Sequence, residues 1–182
     1  MTDVDMLYDK VIVRQFEPSD QERCIELFRL GLCSYTKPPM DKLQPWFVDL
    51  KLKEDMGNIQ QHFIEKDNAN FWVAVLNGVV VGCVGAMPDI HVHGDSAASL
   101  ELIRMSVDPS IRRKGVGSLL IKQVENYAKA NGFYKVSIST LVWITPACSL
   151  YERNGYVRKK IKKFSTPIGV EAHIQPFCKD LS

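Results

Sequence analysis

The stretch that most constrains this chain is Ser99–Gly132, in which an apolar strand, a basic glycine turn and an amphipathic helix follow one another directly. Leu100, Leu102, Ile103, Met105 and Val107 make the strand, and Asp108-Pro109 ends it, because Pro109 keeps Asp108 out of the helical region. Val116, Leu119, Leu120, Val124, Tyr127 and Ala128 recur at helical spacing, and Gly132 stands where a helix ends. The joint between them, Arg112-Arg113-Lys114-Gly115-Val116-Gly117-Ser118, is suited to phosphate. The first amides of a helix have no internal partner, and the helix dipole makes that end positive. Gly115 and Gly117 remove side chains that would hold an anion off the backbone; three cations add charge and Ser118 a hydroxyl donor. No Gly-Lys-Ser/Thr closes the turn as in a P-loop, and the third glycine of a dinucleotide fingerprint is missing.

Around this centre the chain alternates strands and helices. Lys10–Phe16 reads as a strand, and Ser19 and Glu22 are spaced as a capping box for a helix that runs to about Leu32 on Cys24, Leu27, Phe28 and Gly31. The prolines of Ser34–Pro45 predict a loop. A second helix is expected over Phe47–Glu65 from Leu52, Met56, Ile59 and Phe63, with Gly57 its weak point. Phe71–Met87 is too short for a membrane span of about 20 residues. Asn77-Gly78 divides it into a hairpin of Phe71–Leu76 and Val79–Met87. Pro88–Ala98 is polar; its His91, His93 and Asp95 do not close a metal site, so no metal is expected. Tyr134–Leu141 is a strand, Pro146 opens a helix that Gly155 ends, and Tyr156–Ile161 and Ala172–Cys178 are the last strands.

Composition narrows the function classes. With 182 residues, 46% of them hydrophobic, the chain suffices for one soluble domain over 1–182. A net charge of +2 gives no ground for a nucleic-acid or membrane partner. Five scattered cysteines without a C-x-x-C pattern suit reduced, mostly buried thiols, and the acidic start over Met1–Asp9 is no signal peptide. A cytoplasmic location is expected, with the nucleus as the alternative. The oligomeric state is left open, a homodimer being among the options.

Arg112-Arg113-Lys114-Gly115-Val116-Gly117 resembles the R/Q-x-x-G-x-G/A motif of the GNAT superfamily of N-acetyltransferases, and Leu150-Tyr151-Glu152-Arg153-Asn154-Gly155-Tyr156 is similar to that family's L-Y-x-x-x-G-F signature. The resemblance covers nearly the whole chain. Its N-terminal half and Glu101–Pro109 look somewhat camello-like, although Met40–Asn70 is too polar for the membrane-inserting segment of known camello members. The resemblance implies an α/β (α+β) fold: a central mixed, mostly antiparallel sheet of about seven strands flanked by about four helices, splayed between the strands at 100–107 and 134–141. It also implies that acetyl-CoA is the co-substrate and a primary amine, of a protein or a small molecule, the acceptor.

Such a transfer needs a neutral amine, although a lysine amine has a pKa near 10.4. It needs stabilisation of the thioester oxygen and a proton for the departing thiolate. By resemblance, Arg112, Arg113, Lys114, Gly115, Val116, Gly117 and Ser118 hold the pyrophosphate. Met105, Ser106 and Val107 line the thioester on a bulged strand. Glu101 is the general base or a substrate anchor, and Tyr151 the acid. Strand alternation would put Glu101 on one face with Ile103, Met105 and Val107. An asparagine of the family that touches the pantetheine arm is replaced by Ile144, so Thr145 or Ser149 would have to take over its contact. A non-catalytic acyl-CoA-binding regulatory module is the alternative; it would need the phosphate turn but neither Glu101 nor Tyr151.

Overall fold

The computed structural model describes residues 11–34, 38, 40–89 and 99–181, which leaves His91, His93, Asp95 and the N-terminal acidic stretch outside the described residues. Eight strands form one sheet: β1 (Val11–Gln15), β2 (Asn70–Leu76), β3 (Val79–Pro88), β4 (Ser99–Val107), β5 (Lys135–Leu141), β6 (Val157–Arg158), β7 (Lys162–Ser165) and β8 (Glu171–Asp180). Their order is β1-β2-β3-β4-β5-β8-β6, with β7 also on β8, and the β4–β5 pair alone is parallel among the described strands. The helices are α1 (Gln21–Cys33), α2 (Met40–Lys51), α3 (Val116–Ala130) and α4 (Thr145–Arg153).

Strand alternation sorts the apolar side chains into two layers. Trp72, Ala74, Leu100, Leu102 and Val136 face α3 and α4 and pack on Val116, Leu120, Val124 and Tyr151. Phe71, Val73, Cys83 and Ile103 face the other way, against Cys24, Leu27 and Phe28 of α1 and Val48 of α2. The Asn77-Gly78 turn joins β2 to β3 with both residues at positive φ, as the expected hairpin requires.

Three expectations are corrected. The second helix begins at Met40 rather than Phe47 and carries Pro45 inside it. Proline removes one backbone hydrogen bond there, but burial of Leu43 and Val48 outweighs that local loss. The helix then widens into two π-helical turns, Leu52–Met56 and Gln60–Ile64, on either side of Gly57. The expected strand Tyr156–Ile161 shortens to β6, and β7 follows it on the same edge of β8, which makes eight strands among the described residues. A 3-10 turn, Pro18–Asp20, precedes α1, and its capping box is formed by Glu17 and Asp20 rather than by Ser19 and Glu22: the Glu17 backbone N–H donates to Asp20 at 2.9 Å.

Two irregularities in β4 shape the centre of the molecule. The β4–β5 ladder stops at Leu102↔Ile138, although β4 continues to Val107 and β5 to Leu141, so the strands part as the resemblance implied. On its other side β4 bulges: Cys83 pairs with Ser106 and Gly85 with Ile103, which leaves Arg104 and Met105 opposite Val84. The bulge overturns simple alternation. Glu101 and Ile103 share the α1–α2 face, but Met105 and Val107 turn to the α3–α4 face and pack on its core.

Arg104, the bulged residue, has φ +55, an uncommon conformation for a side chain of this size. Its guanidinium is held at 2.9–3.1 Å by both carboxylate oxygens of Asp55, from the first π-helical turn, and lies 6.0 Å from the Phe47 ring centroid. Both partners are nearly buried, at 14% and 11% side-chain exposure. Asp55→Ala would strand the guanidinium, which we expect to cost about 3 kcal/mol. Thermal denaturation checks this, with Tm falling on the order of 10 °C.

Candidate active site

The phosphate turn is built from the end of β4 onward. Asp108 accepts from the Ser110 backbone N–H at 2.9 Å and hydroxyl at 2.7 Å, and pairs with Arg23 of α1 at 2.6 Å. The Ser110 hydrogen bonds and the Arg23 charge hold the Asp108 carboxyl below its ordinary pKa. Arg112 Nε donates to the Val107 carbonyl at 3.2 Å, fixing its guanidinium beside the strand end. Arg113 and Gly115 then lie at φ +64 and +83, an alternation that turns successive amides towards one concavity. The Gly115 carbonyl accepts from Ser118 N at 2.9 Å and Leu119 N at 3.2 Å. Val116 and Gly117 open the helix, where amides lack helical partners.

Gly117 lines the same concavity, and a Cβ there would also stand 2.9 Å from Leu150 Cδ2 of α4. Ser118 Oγ accepts from Asn154 Nδ2 at 3.1 Å and keeps its proton to donate. The turn and α4 are thereby one assembly.

A cavity of about 950 Å³ leads from this turn through the gap between β4 and β5 to the face of α1 and α2. Met105, Ser106, Val107, Arg112, Arg113, Gly115, Val116, Gly117, Ser118 and Tyr151 all line it, as do Ile144, Thr145 and Ser149. Two expected site residues are not among the lining residues. Lys114 is exposed at the turn. Glu101 is half-buried one rung before the ladder ends, between Met87 of β3 and Ser137 of β5. It shares its face with Ile103, which does line the cavity. Tyr151 is 6% exposed, with its ring 5.4 Å from Phe177 and 6.3 Å from Tyr156.

Other residues escaped the sequence reading. Ser137 donates to the buried carboxylate of Asp89, directly beside the Glu101 rung. The far end of the cavity is walled by Phe28, Leu43, Trp46, Phe47, Phe164 and Ile174, from four separate elements and up to 146 positions apart (174 − 28). The apolar periodicity of α1 hinted at Phe28, and the segments Ser34–Pro45 and Phe164–Glu171, where the resemblance implies acceptor loops, hold Leu43 and Phe164.

Residues 37–156 match the acetyltransferase (GNAT) family. The chain is 32% identical over 153 residues to N-acetylaspartate synthetase of Xenopus tropicalis, which covers 84% of this chain and 51% of that protein. It is 35% identical over 111 residues to the probable N-acetyltransferase camello of Xenopus tropicalis, covering 61% of this chain and 49% of that one. The chain thus spans about half the length of the curated relatives it matches. A putative acetyltransferase of Salmonella typhimurium, solved with acetyl-CoA, matches with a TM-score of 0.67 at 14% identity over 95% of both chains, a likeness of fold. With the turn, the bulge and the parted strands in their places, and with most of its length matching, this chain belongs to the GNAT acetyltransferase family.

Proposed function

We propose that the chain transfers the acetyl group of acetyl-CoA to a primary amine, of a protein or a small molecule, by direct attack in a ternary complex. The observation that carries this reading is a single cavity joining a glycine-opened helix start on one face of the sheet to an apolar mouth on the other. The donor set fits a pyrophosphate: left-handed Gly115 shapes the concavity, Arg112 and Arg113 line it, and Lys114 adds charge from the surface. Thr145 and Ser149 offer hydroxyls beside Ile144, where the family's asparagine is missing. Acetyl-CoA, when bound, supplies the activated acyl group. The backbone of Met105–Val107, running on from the bulge along the parted edge of β4, is where the thioester oxygen would find a donor. Glu101, on the acceptor face, takes the amine proton, and Tyr151, on the α4 side, returns one to the sulfur.

The test is binding first. Valine at Gly115 would have to adopt φ +83, which a β-branched residue resists, so the concavity would deform. Calorimetric titration of Gly115→Val should show acetyl-CoA affinity reduced at least tenfold, about 1.4 kcal/mol. Unchanged affinity in the folded variant would remove the pyrophosphate from this turn.

A further inference from the structure

The acceptor half of the cavity has a composition that selects among amines. Its walls are Phe28, Leu43, Trp46, Phe47, Phe164 and Ile174. Among the described residues lining the whole cavity there is no Asp, Glu, Lys or His. Its cations are Arg112 and Arg113 in the phosphate turn, Arg153 on α4, and Arg104. Only Arg104 belongs to the bulge beneath α2, and Asp55 already holds it through three hydrogen bonds.

We propose that the acceptor amine is attached to a large apolar group, aromatic or branched aliphatic, which packs against Leu43, Trp46, Phe47 and Phe164. The inference rests on the acetyltransferase reading and deepens it. A carboxylate on the acceptor would lose its water against these walls and gain no partner. Arg104 is already paired with the Asp55 carboxylate through Nε and Nη2, so its charge is largely answered before any acceptor arrives. A second ammonium, as in a polyamine, would meet no Asp or Glu among the described lining residues, and Glu101 is already assigned to the reacting amine. An aromatic ring instead exchanges water for edge and face contacts with Trp46, Phe47 and Phe164. Phe164 is 39% exposed at the mouth, so it contacts a bound group without holding the core together.

Thiol release by the full chain, at saturating acetyl-CoA, tests this with four acceptors: 2-phenylethylamine, a peptide beginning with phenylalanine, L-aspartate and spermidine. At least one of the two apolar acceptors should exceed aspartate and spermidine at least tenfold in kcat/KM. The phenylethylamine and peptide arms separate a free amine from a chain terminus. Phe164→Ser should raise KM for the preferred apolar acceptor at least fivefold, with the Kd for acetyl-CoA within twofold of the original. Preference for aspartate or spermidine, or a Phe164→Ser variant with unaltered KM, would overturn the apolar assignment while leaving acetyl transfer intact. Failure of the unaltered chain to bind acetyl-CoA would overturn both.

Discussion

Glu101→Gln should lower turnover at least tenfold at neutral pH and recover partly as pH rises. At pH 7 only about one alkyl amine in a few thousand is neutral, given a pKa near 10.4. A base that removes the ammonium proton in place therefore matters most where neutral amine is scarce. The position of Glu101 is set by the ladder rather than by the cavity wall. It sits one rung before the strands part, on the face shared with Ile103, and successive same-face residues are only about 7 Å apart. The proposed role requires the carboxylate to reach the acceptor side directly or through one water. Glutamine keeps the shape and the rung but cannot take the proton. The pH–rate profile of the variant decides the matter. A curve that overlays the original removes Glu101 from the chemistry, and a raised KM with unchanged kcat makes it a substrate anchor.

Tyr151→Phe should also reduce turnover well over tenfold, with acetyl-CoA affinity and Tm little changed. The ring is packed between Tyr156 and Phe177, and phenylalanine retains those contacts. What disappears is the hydroxyl of a residue that lines the cavity, on the same helix as Leu150, which adjoins the phosphate turn. A phenol of pKa near 10 protonates a thiolate of pKa near 8.5 only when the site couples that proton to the one leaving the amine. Single-turnover measurements separate this from slow product release. A variant that turns over at the original rate would return Tyr151 to a packing role.

Local sequence carried most of the fold. The strand, Asp-Pro stop and glycine turn of Ser99–Gly132 are short-range signals, and so is Asn77-Gly78; each appears where its chemistry placed it. Features that depend on distant partners were not legible. Nothing marks Arg104 as a bulge: it is not glycine, and its positive φ is held by Asp55, 49 positions away. The faces of Met105 and Val107 were therefore misassigned from alternation alone. The closeness of Gly117 to Leu150 of a later helix had no local signal either. The apolar acceptor walls come from α1, α2, β7 and β8, so no window of sequence contains them.

The early end of the β4–β5 ladder creates two strand edges in the middle of a sheet. Strand edges normally lie on the perimeter, where any extended polypeptide can pair with them, and proteins blunt them with charge or irregularity. Here helices on both faces flank the edges, and the way in is a pocket of ligand size. Backbone donors and acceptors that would be an aggregation hazard at the rim become selective by enclosure: a narrow, flexible small molecule can thread between them, and a second protein strand cannot.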